Sequence, residues 1–501
     1  VSAGDEKHHD GHHDLGLAMR NALVVGVSLT ATWTVALVVR LFLPRHLGPE
    51  LFGQYNFADT LAANGFGFLG LGLDTYVQKE VSVRPEHASD FYGGTQLVRL
   101  LGSAVVFAGV ALVAHAGGYS REVVATVLVF GCAQLFTVLA NTCATLLYAA
   151  RRVGRLSALN VGTKLAWAGG VGLALWRRDA LYAFAAAFLV SEAIRFAVLF
   201  RLCKNVLHLH VRVDMKETLR VIRACLPYYT THVAMALYAK IDVSIMGMLL
   251  PDEEVGYYSA AANISGVAML LAPLMSWVLM PQLSRAAARG REELLAMMRR
   301  ALEWTLVFAF PICVVLGLGA ELVVHTVFGA RFEPSIGALR ALSPVFVVIY
   351  VAMLGATCMI LLERSWTVTL VTVASLVVNA TLNVLLLRPA LALLGEGGAG
   401  IGASLITVSV EAVVAITYVA LLGRDVLDRR NVSALLKSVV ITAAVVALDL
   451  ALRRHLGDLL RVSVAAAAFG ALSVATRTAR LGELASVLRS ALRNRGSNAP
   501  T

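Results

Sequence analysis

Charge is scarce in this chain. Of 501 residues only 15% are Asp, Glu, Lys or Arg, while 58% are hydrophobic and the mean hydropathy is +0.74. A soluble protein of this length needs far more polar surface to cover two or three cores. Cysteine is sparse as well. Cys132, Cys143, Cys203, Cys225, Cys313 and Cys358 are scattered within or beside apolar stretches, without CxxC spacing. That excludes a disulfide framework and a sulfur-rich metal site, and leaves small apolar packing residues. Catalytic signatures are missing too: there is no Walker loop, no HExxH and no GxSxG. A lone GxGxxG at Gly65, Gly67 and Gly70 sits inside an apolar stretch rather than after a strand, which argues against a dinucleotide site. Those glycines, with Gly72, instead let helices approach closely or bend. Neither a catalytic residue nor a cofactor is expected, so the chain reads as a non-enzyme.

What is present is a series of fourteen apolar stretches punctuated by short charged loops. They run over 20–43, 57–77, 92–115, 122–147, 156–176, 181–202, 225–250, 256–280, 302–320, 336–361, 366–387, 399–422, 435–452 and 459–475. Most approach the roughly 20 residues that a helix needs to cross a hydrocarbon layer about 30 Å thick. A lipid-exposed backbone must satisfy its polar groups internally, so these stretches are expected to be helices, and the short alternating strands of a membrane barrel are absent. The expected fold class is an all-α polytopic membrane protein with 14 transmembrane helices. The first stretch is too long for a signal-peptide core and is followed by no small-residue cleavage site, so it reads as a retained span.

With the N-terminus inside, the inside segments hold about 28 of the 43 basic residues, which satisfies the positive-inside rule with both termini cytoplasmic. The net charge of +11 then reports topology and contact with anionic headgroups rather than nucleic acid, for which no soluble domain remains. Residues 1–19 carry His8, His9, His12 and His13 beside Asp10 and Asp14, lack an apolar face and read as a disordered cytoplasmic tail with incidental metal affinity. Residues 477–501 read as a basic cytoplasmic tail.

Six spans (20–203) precede a long inside linker, 204–224, and six follow it (225–425), with a final pair over 426–476. This is the layout of a transporter built from two repeats plus an appended pair. The linker contains an amphipathic stretch, with Val213, Leu219 and Ile222 set among Asp214, Lys216, Glu217, Arg220 and Arg223, suited to lying along the headgroups. The stretch from Arg285 to Arg300, with Leu294, Leu295, Met297 and Met298, reads the same way.

Charges inside the spans are the candidate functional residues, because such groups face a partner or a wet cavity. Lys240 lies roughly 15 Å below Pro251 at the outer end of its span, near mid-depth. Lys240 and Asp242 point about 200° apart on a helix, so each needs a separate partner. The other candidates are Asp59, Asp74, Arg99, Lys164, Glu192 with Arg195, and Glu411. Glu192 and Arg195 are spaced for a local ion pair. Arg40, Glu321, Arg340 and Asp449 lie near span ends, where snorkelling to the interface is an alternative. Basic residues outnumber acidic ones at mid-depth in the first half, which suits an anionic headgroup such as a phosphate or pyrophosphate.

Four segments resemble the Wzx-type polysaccharide and oligosaccharide flippases of the multidrug/oligosaccharidyl-lipid/polysaccharide exporter superfamily. They are HLGPELFGQY (His46 to Tyr55), GLGLDTYVQKE (Gly70 to Glu80), LPYY followed by YAKID (Leu226 to Tyr229, Tyr238 to Asp242) and EVGYYSAA (Glu254 to Ala261). The resemblance implies two six-helix bundles around a central cavity, with two extra C-terminal helices. It implies translocation of a polyprenyl-pyrophosphate-linked oligosaccharide across the bacterial cytoplasmic membrane by alternating access, coupled to protons or sodium. Lys240, Arg99, Lys164, Arg195 and Arg40 would bind substrate, and Asp242, Asp74, Asp59 and Glu411 would couple the ion. The partners implied are the lipid-linked oligosaccharide, membrane lipids, the coupling ion and a polysaccharide polymerase. A lipid II flippase and a cation-coupled multidrug exporter are the alternatives on the same architecture. The charge asymmetry makes a direct prediction: a cysteine at position 252 should label from outside and one at position 290 only from inside. The reverse pattern would overturn the orientation.

Overall fold

The structure is a computed structural model that describes residues 5–476, apart from 82, 151, 152, 269, 270, 424, 425 and 427. The tail expected over 477–501 lies outside the described residues, as do the side chains of His8, His9, His12 and His13. Backbone is already helical from Asp5, within the stretch expected to be a disordered tail. A helix nucleated in the following span extends outward at little cost. All the elements among the described residues are helical. Together with their apolar surface, this makes the chain a multi-pass membrane protein.

Two compact units divide it, Val1–Ser259 and Ala260–Thr501. In the first, α1 (Asp5–Gly67) carries the first expected span and the first part of the second, over 57–67, and is interrupted at Gly48, where φ is 76° and ψ 172°. Pro49 follows, and its missing N–H makes this the natural place for the break. The helix ends in a turn at Phe68–Gly70, after which Leu71 and Gly72 are left-handed (φ 58° and 63°). Chain direction recovers in α2 (Leu73–Tyr76). Of the glycines expected to bend the chain, Gly72 takes the left-handed conformation, shared with Leu71, while Gly65 and Gly67 remain within α1.

Next come α3 (Ala88–Ala116), α4 (Arg121–Ala149), α5 (Val153–Arg177) and α6 (Leu181–Val206). α4 lies along α6, and α1 packs on α4 and α5. The linker region opens α7 (Met215–Tyr238), whose N-cap Asp214 accepts from the Lys216 and Glu217 amides at 2.9 and 3.1 Å. Its first turns bury Thr218, Val221 and Cys225, while Leu219 and the preceding Val213 are exposed. The inward face is docked on α3. A Cβ on Gly93 would meet the Arg212 carbonyl oxygen at 2.1 Å, and one on Gly94 the Thr218 Oγ1 at 1.9 Å.

A break at Ala239 and Lys240 separates α7 from α8 (Ile241–Leu249), with a bend of 49°. α9 (Asp252–Ala268) then returns against α1. Here too glycine sets the approach, because a Cβ on Gly53 would lie 1.8 Å from the Asp252 carbonyl oxygen and one on Gly256 2.0 Å from that of Pro49. Gln54 Nε2 also donates to Asp252 Oδ2 at 2.9 Å. These contacts explain why the first compact unit runs past the linker to Ser259.

The second unit contains α10 (Leu271–Arg289), α11 (Arg291–Leu318), α12 (Ala320–Val327), α13 (Ser335–Leu342) and α14 (Val345–Leu361). They are followed by α15 (Ser365–Leu394), α16 (Gly398–Leu422), α17 (Arg429–Leu452) and α18 (Asp458–Ala475). The stretch from Arg285 to Arg300 is not a separate surface helix. It joins the ends of α10 and α11 at Gly290, and Leu294, Leu295 and Met298 turn inward onto Leu283, Leu302 and Cys358. α15 buries Asn379 and Asn383 while Leu370, Val377, Val384 and Leu385 stay exposed, an apolar face suited to lipid.

Among the described residues, ten helices are long and apolar enough to cross a membrane, or eleven with the bent α7–α8 pair. The expected span 256–280 contains residues 269 and 270, which lie outside the described residues, and two further expected spans are not counted separately. Gly26–Gly70 is one segment interrupted at Gly48, and α5, which carries Arg155 and Lys164, is not among the ten.

α17 and α18 pack on α11 through Leu306, Phe310, Val314, Ile441, Val445 and Phe469. Between them Arg461 Nη1 donates to Asp449 Oδ2 at 2.6 Å, with both side chains at most 4% exposed. Arg461 also reaches Asp458 at 3.0 Å. Asp449 is thus buried and paired and does not snorkel. Removing one partner strands the other, at a cost of about 3–5 kcal/mol, whereas replacing both with apolar groups is close to neutral. Asp449→Leu should therefore lower the melting temperature in detergent sharply, and adding Arg461→Met should restore most of it. Equal or additive losses would contradict this account.

Candidate functional site

In the first unit, charged side chains from α1, α5, α6 and the α7–α8 break come within electrostatic reach of one another. Lys240 is the N-cap of α8, placed there by the α7–α8 bend. Its Nζ donates to Asp59 Oδ2 of α1 at 3.0 Å. The two side chains keep 41% and 26% of their exposure, so they line space rather than fill a core. Lys240 lies outside the helix (φ −144°, ψ 8°) and Asp242 is in its first turn, where it takes different partners. Its Oδ1 accepts from the Val243 amide at 2.8 Å, and its Oδ2 accepts from the Tyr258 hydroxyl of α9. Beside this pair Asn64 Nδ2 donates to Ser244 Oγ at 2.9 Å, tying α1 to α8.

Lys164 of α5 is held differently. Its ammonium lies 5.1 Å from the centre of the Trp167 ring and 5.4 Å from that of Phe188, both cation–π distances. It is within Coulombic reach of Glu192, Arg195, Arg40 and Asp59. Arg195 Nη1 donates to Glu192 Oε2 at 2.9 Å, the local pair expected from their spacing, and Nη2 donates to Asn141 Oδ1 at 3.2 Å. Tyr55 stands within reach of Arg40 and Asp59 and meets Phe130 edge-on at 5.2 Å.

Arg40, Asp59, Lys164, Glu192, Arg195 and Lys240 therefore belong to one electrostatic group. Glu192 and Asp59 are matched to Arg195 and Lys240, while Arg40 and Lys164 make no ion pair among the described residues. Two buried donors beside them, Trp167 Nε1 and Arg195 Nε, have no hydrogen-bond partner among the described residues. Orphan buried donors mark places where water or a ligand oxygen is accommodated.

Arg99 stands apart from this group. It is 2% exposed, and its Nε and Nη2 donate to the Leu69 and Gly70 carbonyl oxygens at 2.9 and 2.8 Å. Nη1 reaches the Val138 carbonyl oxygen at 3.3 Å and also Thr142 Oγ1. Those carbonyls are freed where α1 ends, and a guanidinium is well matched to the negative end of a helix. The surroundings are those of a structural clamp. Asp74 lies nearby, within reach of Arg99 and accepting from Thr145 Oγ1 at 3.0 Å. Glu411 belongs to the second unit, buried in α16 within reach of the Tyr418 phenol.

The sequence reading named the charges but missed their aromatic and amide company. Trp167 was readable from its i, i+3 spacing to Lys164, and Tyr55 from its i, i+4 spacing to Asp59. Tyr258, Asn141 and Phe188 come from distant segments, and no local signal pointed to them.

A family model described as polysaccharide biosynthesis protein matches residues 42–337, more than half of the chain. A probable low-salt glycan biosynthesis flippase, Agl15 of Haloferax volcanii, is 21% identical over 245 residues, 47% of this chain and 50% of that protein. The match thus spans about half the length of that curated relative. Among solved structures, a lipid II flippase MurJ in an inward closed conformation superposes with a TM-score of 0.70 at 13% identity, covering 91% of this chain and 99% of that one. An inward-facing multidrug resistance MATE family transporter of the MOP superfamily gives 0.62 at 14% identity, covering 79% and 97%. At such identities the likeness is one of fold, and it is an all-helical polytopic membrane fold.

The ion pair predicts a specific non-additivity. Asp59→Asn and Lys240→Met each leave a charge without its partner, so their combined effect on thermal stability should be smaller than the sum of the two. A double-mutant cycle with a coupling below about 0.5 kcal/mol would mean that the pair is not formed.

Proposed function

We propose, since the chain belongs to the polysaccharide biosynthesis protein family, that it moves a polyprenyl-pyrophosphate-linked oligosaccharide between membrane leaflets by alternating access. The observation that carries this reading is the pair of unmatched cations, Arg40 and Lys164, standing beside two releasable ion pairs and two orphan donors. A pyrophosphate brings two or more negative charges, which those cations match in a low-dielectric site where charge-assisted bonds are strongest. The sugar needs a polar passage, since it cannot cross hydrocarbon alone, and the polyprenyl tail stays in the bilayer. Tyr55 and Phe188, which are only partly buried, supply ring faces on which sugars stack, while Trp167 is buried beneath Lys164. Such transport makes and breaks no covalent bond, and we assign the chain no catalytic residue.

The same reading assigns fourteen crossings, with the interrupted α1 and the α9–α10 region each counted at their expected positions. Both termini face the cytoplasm of a bacterial cell, and a polysaccharide polymerase takes the product on the outer side. Asp242 is the leading coupling carboxylate for a proton or sodium ion, because it sits at the helix bend beside Lys240 with its oxygens held by Tyr258 and Val243. Asp59, Asp74 and Glu411 are the further candidates. Lys240 and Arg195 exchange their carboxylate partners for phosphate oxygens as substrate enters.

The test is flipping of a fluorescent polyprenyl-pyrophosphate oligosaccharide by the purified chain in liposomes. A lost charge-assisted bond costs about 1.5–3 kcal/mol, so Lys164→Gln and Arg40→Gln should each slow flipping by about tenfold or more at unchanged protein level. Lys240→Ala should abolish surface polysaccharide in cells. Wild-type flipping by Lys164→Gln and Arg40→Gln together would overturn the substrate assignment, and normal gradient-driven transport by Asp242→Asn would exclude its coupling role.

A further inference from the structure

A second cationic feature lies in the other unit, at the turn between α10 and α11. α10 and α11 meet at Gly290 and line an open cavity of about 350 Å³. Its wall is two facing stripes with helical spacing: Gln282, Arg285 and Arg289 from α10, and Glu293, Met297 and Arg300 from α11. Arg289 donates to Glu293 across the turn, while Arg285 and Arg300 make no ion pair among the described residues. Three guanidinium groups therefore face one carboxylate, and two of them hold no counter-charge. The apolar floor is supplied by Met297 and Ala286, with Leu283 and Leu294 fully inward behind them.

Depth is set by helix length. α11 has 28 residues, a length of about 42 Å at 1.5 Å per residue, against a hydrocarbon layer of about 30 Å. Its first thirteen residues, Arg291 to Glu303, include six charged side chains, and the run from Trp304 to Leu318 carries none. The charged end is the one that projects, which puts the cavity at the level of the lipid headgroups.

We propose that this cavity binds the phosphate of an anionic phospholipid headgroup from the surrounding membrane. Guanidinium groups form forked bonds to phosphate oxygens. The cavity holds a headgroup while the acyl chains remain against the apolar part of α11. A zwitterionic lipid offers the same phosphate, but its ammonium is repelled by the three arginines. A free phosphate gains no anchorage from the apolar floor. The binding site belongs to α10 and α11 and stands whether or not the chain flips saccharides.

The full chain, delipidated in detergent, is titrated with phosphatidylglycerol, phosphatidylcholine or inorganic phosphate and read by native mass spectrometry. Phosphatidylglycerol should be retained in preference to phosphatidylcholine. At about 1 kcal/mol per arginine near the surface, Arg285→Gln with Arg300→Gln should weaken that retention roughly thirtyfold. Glu293→Gln leaves every arginine in place and frees Arg289, so it should tighten retention severalfold; it tests the site even if the double variant fails to fold. Unchanged phosphatidylglycerol retention in both variants overturns the proposal. Equal retention of phosphatidylcholine, or displacement of phosphatidylglycerol by millimolar inorganic phosphate, also overturns it, the latter in favour of a free-anion site.

Discussion

A charge placed inside hydrocarbon must find a counter-charge, a dipole or a π face, and the arrangement of this molecule follows from how each one does so. Arg461 answers with Asp449 and holds α17 to α18. Arg99 answers with backbone carbonyls at the end of α1. Lys240 answers with Asp59, and Lys164 with the rings of Trp167 and Phe188. These solutions are not equivalent. A buried pair such as Arg461 with Asp449 is structural, because any change of partner strands a charge. A cation resting on aromatic rings, or a half-exposed pair, can exchange its partner for an incoming anion.

Helix breaks make these arrangements possible. The interruption at Gly48 turns the chain and lets Gly53 and Gly256 bring α1 against α9 at backbone distance. Left-handed Leu71 and Gly72 free the carbonyls that Arg99 takes up. The bend between α7 and α8 puts Lys240 at a helix start and turns Asp242 toward Tyr258. The four segments that carried the family resemblance contain these residues. In this chain Gly48, Pro49, Gly53, Gly70, Gly72, Lys240, Asp242, Gly256 and Tyr258 together make the breaks and the contacts that span them.

Helix positions were highly legible, because an apolar run near 20 residues has few other uses. The count was less so. α1 joins two runs with a single glycine in place of a loop, and α5 carries enough polar residues to weaken its signal. The charged residues of the site were all visible as anomalies in apolar runs, yet their roles divided in ways that spacing does not encode. Arg99 and Lys164 look alike in sequence, one charge in a span each. The first meets a broken helix end and the second an aromatic pair. The Arg285 to Arg300 stretch shows the same limit: its amphipathic pattern was read as a surface helix, but Leu294 and Met298 found buried partners in the packed unit.

By itself the sequence determined that the chain is helical, apolar enough to live in a bilayer, and equipped with cations at depth. It also determined local pairs such as Glu192 with Arg195, since i, i+3 neighbours meet on any helix. Tertiary structure decided everything that needs two distant segments: Asp59 with Lys240, Asp242 with Tyr258, Asp449 with Arg461, and the aromatic seat of Lys164. Hydropathy and helical periodicity are short-range properties of a chain. The partner of a buried charge is chosen by which helices pack together, and that choice is made by the summed contacts of the whole unit.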